Sequence, residues 1–195
     1  MTANAIATAA EPTLTTFELD RGRLYIEQTK LGILGVLKNV SDAQWTFKPS
    51  TGSWSIAETV EHVIFVLERV VGPVWDTLMG TAVTAVHPDF RQIDDVIIYQ
   101  FPNRLTRFPS PAQPLGGLDR HEALDRLLEN YSRLSERLDT AGLREHALEA
   151  PPLRAITDGA YGLMDGYQWI LAGAAHTERH TKQLLEIMAG PGFPE

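Results

Sequence analysis

Apolar positions recur at helical spacing in four stretches of the chain. From Phe17 to about Leu37, the positions Leu19, Leu24, Ile26, Leu31, Leu34 and Leu37 fit a 3.6-residue period better than strict alternation, which predicts a helix near 17 to 38. The segment from Ser41 to Phe47 predicts one further short turn of helix, stopped by Lys48-Pro49-Ser50-Thr51-Gly52, where proline and glycine prevent continuation. Ser55 followed three residues later by Glu58 is a capping box. The stripe Ile56, Val60, Val63, Leu67, Val70 and Val74 behind it predicts a helix over 55 to 79. A second capping box, Asp119 with Glu122, opens a third helix over 119 to 140, with Leu124, Leu127, Leu128, Tyr131, Leu134 and Leu138 as its apolar positions. Asp165 caps a fourth helix, over 166 to 189.

Two connections are long. Residues 80 to 117 hold Pro88, Pro102, Pro109, Pro111 and Pro114 and end at Gly116-Gly117, so they read as a crossover. Only its run VIIYQF is strand-like in composition, and a short helix is expected near Phe90 to Tyr99. Glu145 to Gly162, through Pro151 and Pro152, reads as irregular. Four long amphipathic helices with two long connections predict an all-α fold, a four-helix bundle with long crossovers and no substantial sheet. Residues 1 to 14, rich in Ala and Thr, read as a flexible tail, leaving 15 to 195 as a single domain.

Composition narrows the chemistry. With 195 residues, 44% hydrophobic and 22% charged, the chain can bury a full core as one domain. No uninterrupted apolar run is long enough to span a bilayer and the N-terminus lacks a basic n-region, so a cytoplasmic protein with no membrane partner is expected. The net charge of -8 and the absence of Lys/Arg runs argue against nucleic acid as a partner. The absence of cysteine removes thiolate ligands and a cysteine nucleophile together, so any metal must be held by His, Asp or Glu.

One stretch stands out against this background. In Ala172 to Gly190, His176 and His180 lie four residues apart on the face that carries Trp169, Gly173, Gln183, Leu184 and Ile187. A lone histidine on such a face is usually a hydrogen-bonded core residue. Two at this spacing can share one divalent ion, and the spacing alone leaves both readings open. His62, on the flank of the second helix away from the centre of its stripe, reads on its own as a solvated or interface histidine. Glu61 and Glu178 neighbour these histidines but point away from them on a helical wheel, and Glu58 is accounted for as the partner of Ser55. Arg104 and Arg107 could meet an acidic cosubstrate or serve at the surface, while His87, His121 and His146 fall in or beside loops.

The combination Leu37, Asp42, Trp45, Lys48-Pro49, then Trp54-Ser55-Ile56 with Glu58 and His62, and finally Gly166-Tyr167, His176, His180 and Gln183 resembles the DinB/YfiT-like superfamily of four-helix-bundle metalloproteins over about Phe17 to Met188. The resemblance implies that His62, His176 and His180 bind one divalent metal, zinc or nickel being expected. It also implies a small-molecule substrate and a possible homodimer. Family members include transferases of low-molecular-weight thiols and thiol-dependent isomerases, others being assigned only as metal-dependent hydrolases. The expectation is therefore a metal-dependent enzyme that transfers a low-molecular-weight thiol, as cosubstrate, to a small electrophile. A metal-dependent hydrolase and a non-catalytic metal- or ligand-binding stress protein are the alternatives. The segment from 80 to 117 is longer than the family's usual crossover, so substrate inferences transfer least well.

Overall fold

The computed structural model describes residues 13–84, 87–106 and 113–195. The expected N-terminal tail lies, up to residue 12, outside the described residues, as does Arg107. The four long helices are present: α1 (Thr16–Leu37), α3 (Ile56–Val66) continued through a π-helical turn (Leu67–Val71) into α4 (Gly72–Leu78), α6 (Arg120–Arg137) and α8 (Gly166–Met188). The short helix α2 (Asp42–Thr46) precedes α3, and α5 (Phe90–Gln100) lies within the crossover.

Caps set most of these boundaries. Thr15, Ser41, Ser55 and Asp165 each accept from the backbone N–H three residues on, and Glu18, Gln44, Glu58 and Gln168 reach back to the cap, so four reciprocal boxes start α1, α2, α3 and α8. Asp119 accepts from the N–H groups of both His121 and Glu122 and starts α6.

Close approaches between helices fix their directions. A Cβ on Gly22 would meet Tyr167 and Leu138, and one on Gly173 would meet Leu67 and Leu134, so Gly22 and Gly173 allow packing that a side chain would obstruct. Gly22 against Tyr167 and Gly32 against Thr181 make α1 parallel to α8. His62 beside His176 and Trp75 against Gly166 make the second helix antiparallel to α8. Tyr131 bonded to Thr29 and Leu138 against Gly22 make α6 antiparallel to α1. The bundle is thus up, down, down, up. Its second and third long helices are parallel, and a parallel pair requires a connection that travels back along the bundle. That is the physical reason for the long segment after Leu78, and α5 makes the return journey, packed on α8.

One sequence expectation is met in these connections and one is corrected. The short helix expected near Phe90 to Tyr99 is α5, and the run of strand-like composition within it is helical because Ile93, Ile97 and Phe101 at i, i+4 and i+8 are buried together, packing of one face overriding β-propensity. The stretch from Glu145 to Gly162 is not wholly irregular. It contains β1 (Ala147–Glu149) and α7 (Pro151–Ile156), whose two prolines occupy the first helical positions. β1 pairs antiparallel with β2 (Leu163–Asp165), Leu148 opposite Met164, in a two-stranded ribbon that leads into α8. Among the described residues no helix is long and apolar enough to cross a membrane.

The N-terminal end of α8 is tied down by charge. Arg144, 1% exposed at its side chain, donates to Asp94 at 2.6 and 2.9 Å, to Asp165 at 2.8 Å and to Glu18 at 3.2 Å, with Phe90 and Tyr167 against its guanidinium. Three carboxylates on three elements share one cation. Burial raises the pKa of Asp165 to about 6 in spite of Arg144, and that of Asp94 moves upward for the same reason.

Candidate metal centre

His62 lies two turns after the Ser55 cap, and His176 and His180 lie one turn apart in the middle of α8. The flank of α3 that carries His62 packs against α8, while the stripe centre at Val60 and Val63 is fully buried, so both sides of this helix are covered. The three imidazoles converge. Nε2 of His176 is 3.3 Å from Nε2 of His62, and one ligand nitrogen from each of the three lies within 4.8 Å of the others. His62 and His180 are buried, and His176 is half-buried and lines a cavity. Trp54 walls the cluster, its ring 4.9 Å from that of His62 and stacked at 6.5 Å on that of His180.

Hydrogen bonds assign one tautomer. Nδ1 of His180 is 2.9 Å from Oε1 of Gln183, and Nη1 of Arg104 donates to that same atom at 3.1 Å. A guanidinium can only donate, so the shared atom is the amide oxygen; an amide oxygen can only accept, so His180 carries its proton on Nδ1 and leaves Nε2 as a bare lone pair. The Nδ1 atoms of His62 and His176 are buried without a protein partner. Without a cation, the 3.3 Å contact between two Nε2 atoms uses one proton and one lone pair and leaves one buried Nδ1–H and one buried Nδ1 lone pair unmatched.

All three rings are held neutral. Burial pushes the pKa of His62 down to about 4. Burial, then the neighbouring His62, pushes His180 to about 3 against the opposing pull of Gln183. His176 falls well below its usual value through burial and the proximity of His180 and His62. Three neutral imidazoles with converging nitrogens form a donor set that fits one divalent transition ion and leaves room for a further ligand.

The cavity beside the histidines has a volume of about 1220 Å³ and mostly apolar walls. Glu186 is the one carboxylate among its described lining residues, and Arg104 grips it at 3.0 Å. The other acids near the motif are engaged elsewhere: Glu61 accepts from the Gly116 N–H, Glu178 from the Tyr25 hydroxyl at 2.8 Å and from Lys182, and Glu58 from Lys48 at 2.7 Å as well as from the Ser55 N–H. Glu178 is therefore a half-buried hydrogen-bonding partner rather than a solvated residue. Arg179 donates to the backbone carbonyls of Asn103 and Thr106 and so holds the crossover over the cavity. His87 stacks edge-on with Tyr161, His121 meets Asp125 at 3.2 Å, and His146 is remote from the cluster in sequence and absent from the cavity lining. Sequence reasoning passed over the wall-forming role of Trp54 and the contact of Gln183 with His180; the i, i+3 spacing of His180 and Gln183 was the available signal for the second.

No curated protein and no solved structure matches the chain. The family profile described as the DinB superfamily matches residues 25–184, a span that includes all three histidines. The fold, the histidine cluster at its cavity and that match agree, and the chain belongs to the DinB superfamily.

Proposed function

We propose that the protein is a divalent-metal-dependent enzyme in which His62, His176 and His180 hold one zinc or nickel ion and which transfers a low-molecular-weight thiol to a small electrophile. The observation that supports it is the convergence of three neutral imidazoles, from two helices, at the wall of a large cavity in a chain without cysteine. A bound ion supplies a Lewis acid that lowers the pKa of a group at its open position. The chain's own residues orient and exclude. Gln183 fixes the ring of His180, Trp54 covers one side of the cluster, and burial keeps the three rings neutral at neutral pH.

Thiol transfer is favoured over hydrolysis by the acid and base groups. Hydrolysis of an amide wants a group that protonates the leaving nitrogen, and the carboxylate of the cavity, Glu186, is paired with Arg104. A thiol whose pKa is lowered needs no separate base. The test is zinc- or nickel-loaded protein offered glutathione or cysteine with chlorodinitrobenzene, in which the sulfur bonds to carbon, chloride leaves and the thiol proton passes to solvent. Thiol-dependent, metal-dependent conjugation is expected. Turnover of nitrophenyl esters without thiol, and no conjugation, would assign a hydrolase instead; neither activity would assign a non-catalytic metal-binding protein.

A further inference from the structure

The cavity is not symmetrical about the histidines. The second helix and α8 run antiparallel, so their residues leave the cluster together: Val66 and Val70 follow His62 by four and eight positions, while Ala172 and Trp169 precede His176 by four and seven. At 1.5 Å per residue these steps extend the cavity about 10 to 12 Å from the histidines toward the N-terminal end of α8. The π-helical turn sits along this path. Its i to i+5 bonding lets Val70 and Val71 both line the cavity beside Val66. Met164, in the middle of β2, and Ala155, on α7, line it as well.

The two ends differ in chemistry. Toward the C-terminal end of α8 the lining includes Gln183, Glu186 and Arg104, joined to one another. Toward the N-terminal end, the described lining side chains are hydrocarbon or thioether apart from the Trp169 indole, whose buried Nε1–H has no protein partner. A hydrocarbon-walled channel two helical turns long, opening directly onto a ligand-binding centre, gains nothing from a small polar substrate and would gain from burying an apolar one.

We propose that the substrate carries, attached to the group that meets the histidines, an apolar tail of about two helical turns in length, alkyl or aromatic, seated between the π-helical turn and the N-terminal half of α8. The location of the reacting head rests on the metal reading given above; the tail rests on the cavity walls.

Binding of n-alkyl hydroxamic acids of increasing chain length, followed by calorimetry on zinc-loaded and metal-free protein, separates the two. The hydroxamate head ligates zinc, and the chain probes the channel. Affinity should rise about fourfold per methylene until the chain fills the channel, then level off. Val70→Trp and, independently, Ala155→Trp should each flatten that dependence; circular dichroism confirms that each variant is folded. The proposal is overturned if zinc-loaded wild type binds acetohydroxamate and the longer homologues equally well. It is also overturned if both tryptophan variants, folded, retain the full chain-length dependence, since the chain then lies elsewhere. A chain-length dependence that persists without zinc, while zinc adds nothing to acetohydroxamate, would leave the apolar channel standing and remove the metal reading.

Discussion

Gln183 carries out its role through one oxygen atom, which accepts from both His180 and Arg104. Replacing it by leucine frees the His180 ring to take either tautomer, and zinc affinity measured by chelator competition should fall about 10- to 100-fold, as for other residues that orient a metal-binding histidine. Gln183→Glu, which keeps an acceptor in reach of both partners, should restore most of the affinity. Equal loss in both variants would show that the contact is packing only. A second prediction belongs to Asp165. Its folded pKa, about 6, lies above the unfolded value of 3.8, so the folded state holds more protons in between; stability from this group is present at low pH and is lost as pH rises through about 6. Asp165→Asn preserves the cap to Gln168 but cannot titrate. Relative to the variant, wild type should therefore lose on the order of 1 to 3 kcal/mol between pH 4 and pH 7, read by urea denaturation. A difference independent of pH would mean that Arg144 keeps Asp165 ionised throughout.

Helices were legible wherever a cap and a period coincided. The Ser55–Glu58 box and the Asp165 cap marked helices that the structure starts at Ile56 and Gly166, the residue after each cap. Ser55→Ala should cost about 1 kcal/mol of unfolding free energy, and Ser55→Asp considerably less, since aspartate caps as well as serine. Indistinguishable stabilities for wild type and Ser55→Ala would remove that box from the account. The short helix expected near Phe90 to Tyr99 is present although Val96 to Gln100 is strand-like in composition, because β-branched composition is a weak signal beside the i, i+4 burial of Ile93, Ile97 and Phe101. The π-helical turn at Leu67–Val71 has no sequence signature at all, and neither has the ribbon of β1 and β2, whose three-residue strands pair with each other, β1 packing on α4 and β2 tied to Arg144 through Asp165.

At the scale of the whole molecule, the sequence indicated the number of long helices but not their directions, which follow from where Gly22, Gly32 and Gly173 let helices approach. His62 shows the same limit. Its flank position on α3 argues for solvent until α8 is laid against it, and family resemblance rather than periodicity brought it into the site. Bringing the three rings together has a measurable consequence for the metal-free protein. Their folded pKa values, about 4 for His62, about 3 for His180 and well depressed for His176, lie below the unfolded value near 6.5. The unfolded chain binds more protons across that interval, so stability should fall as pH drops from about 7 toward 4, with Asp165, one group against three, offsetting part of the loss below pH 6. Melting temperature against pH checks this; a flat or rising profile on acidification would contradict the burial of the cluster.

One metal site made by His62, His176 and His180 together requires that the three act as a unit. Calorimetric titration of untagged, metal-free protein with zinc, and separately with nickel, should give one ion per chain. Tight binding should disappear in His62→Ala, His176→Ala and His180→Ala while each variant keeps its helical circular dichroism. No binding by wild type, or one ion retained by all three variants, would contradict it.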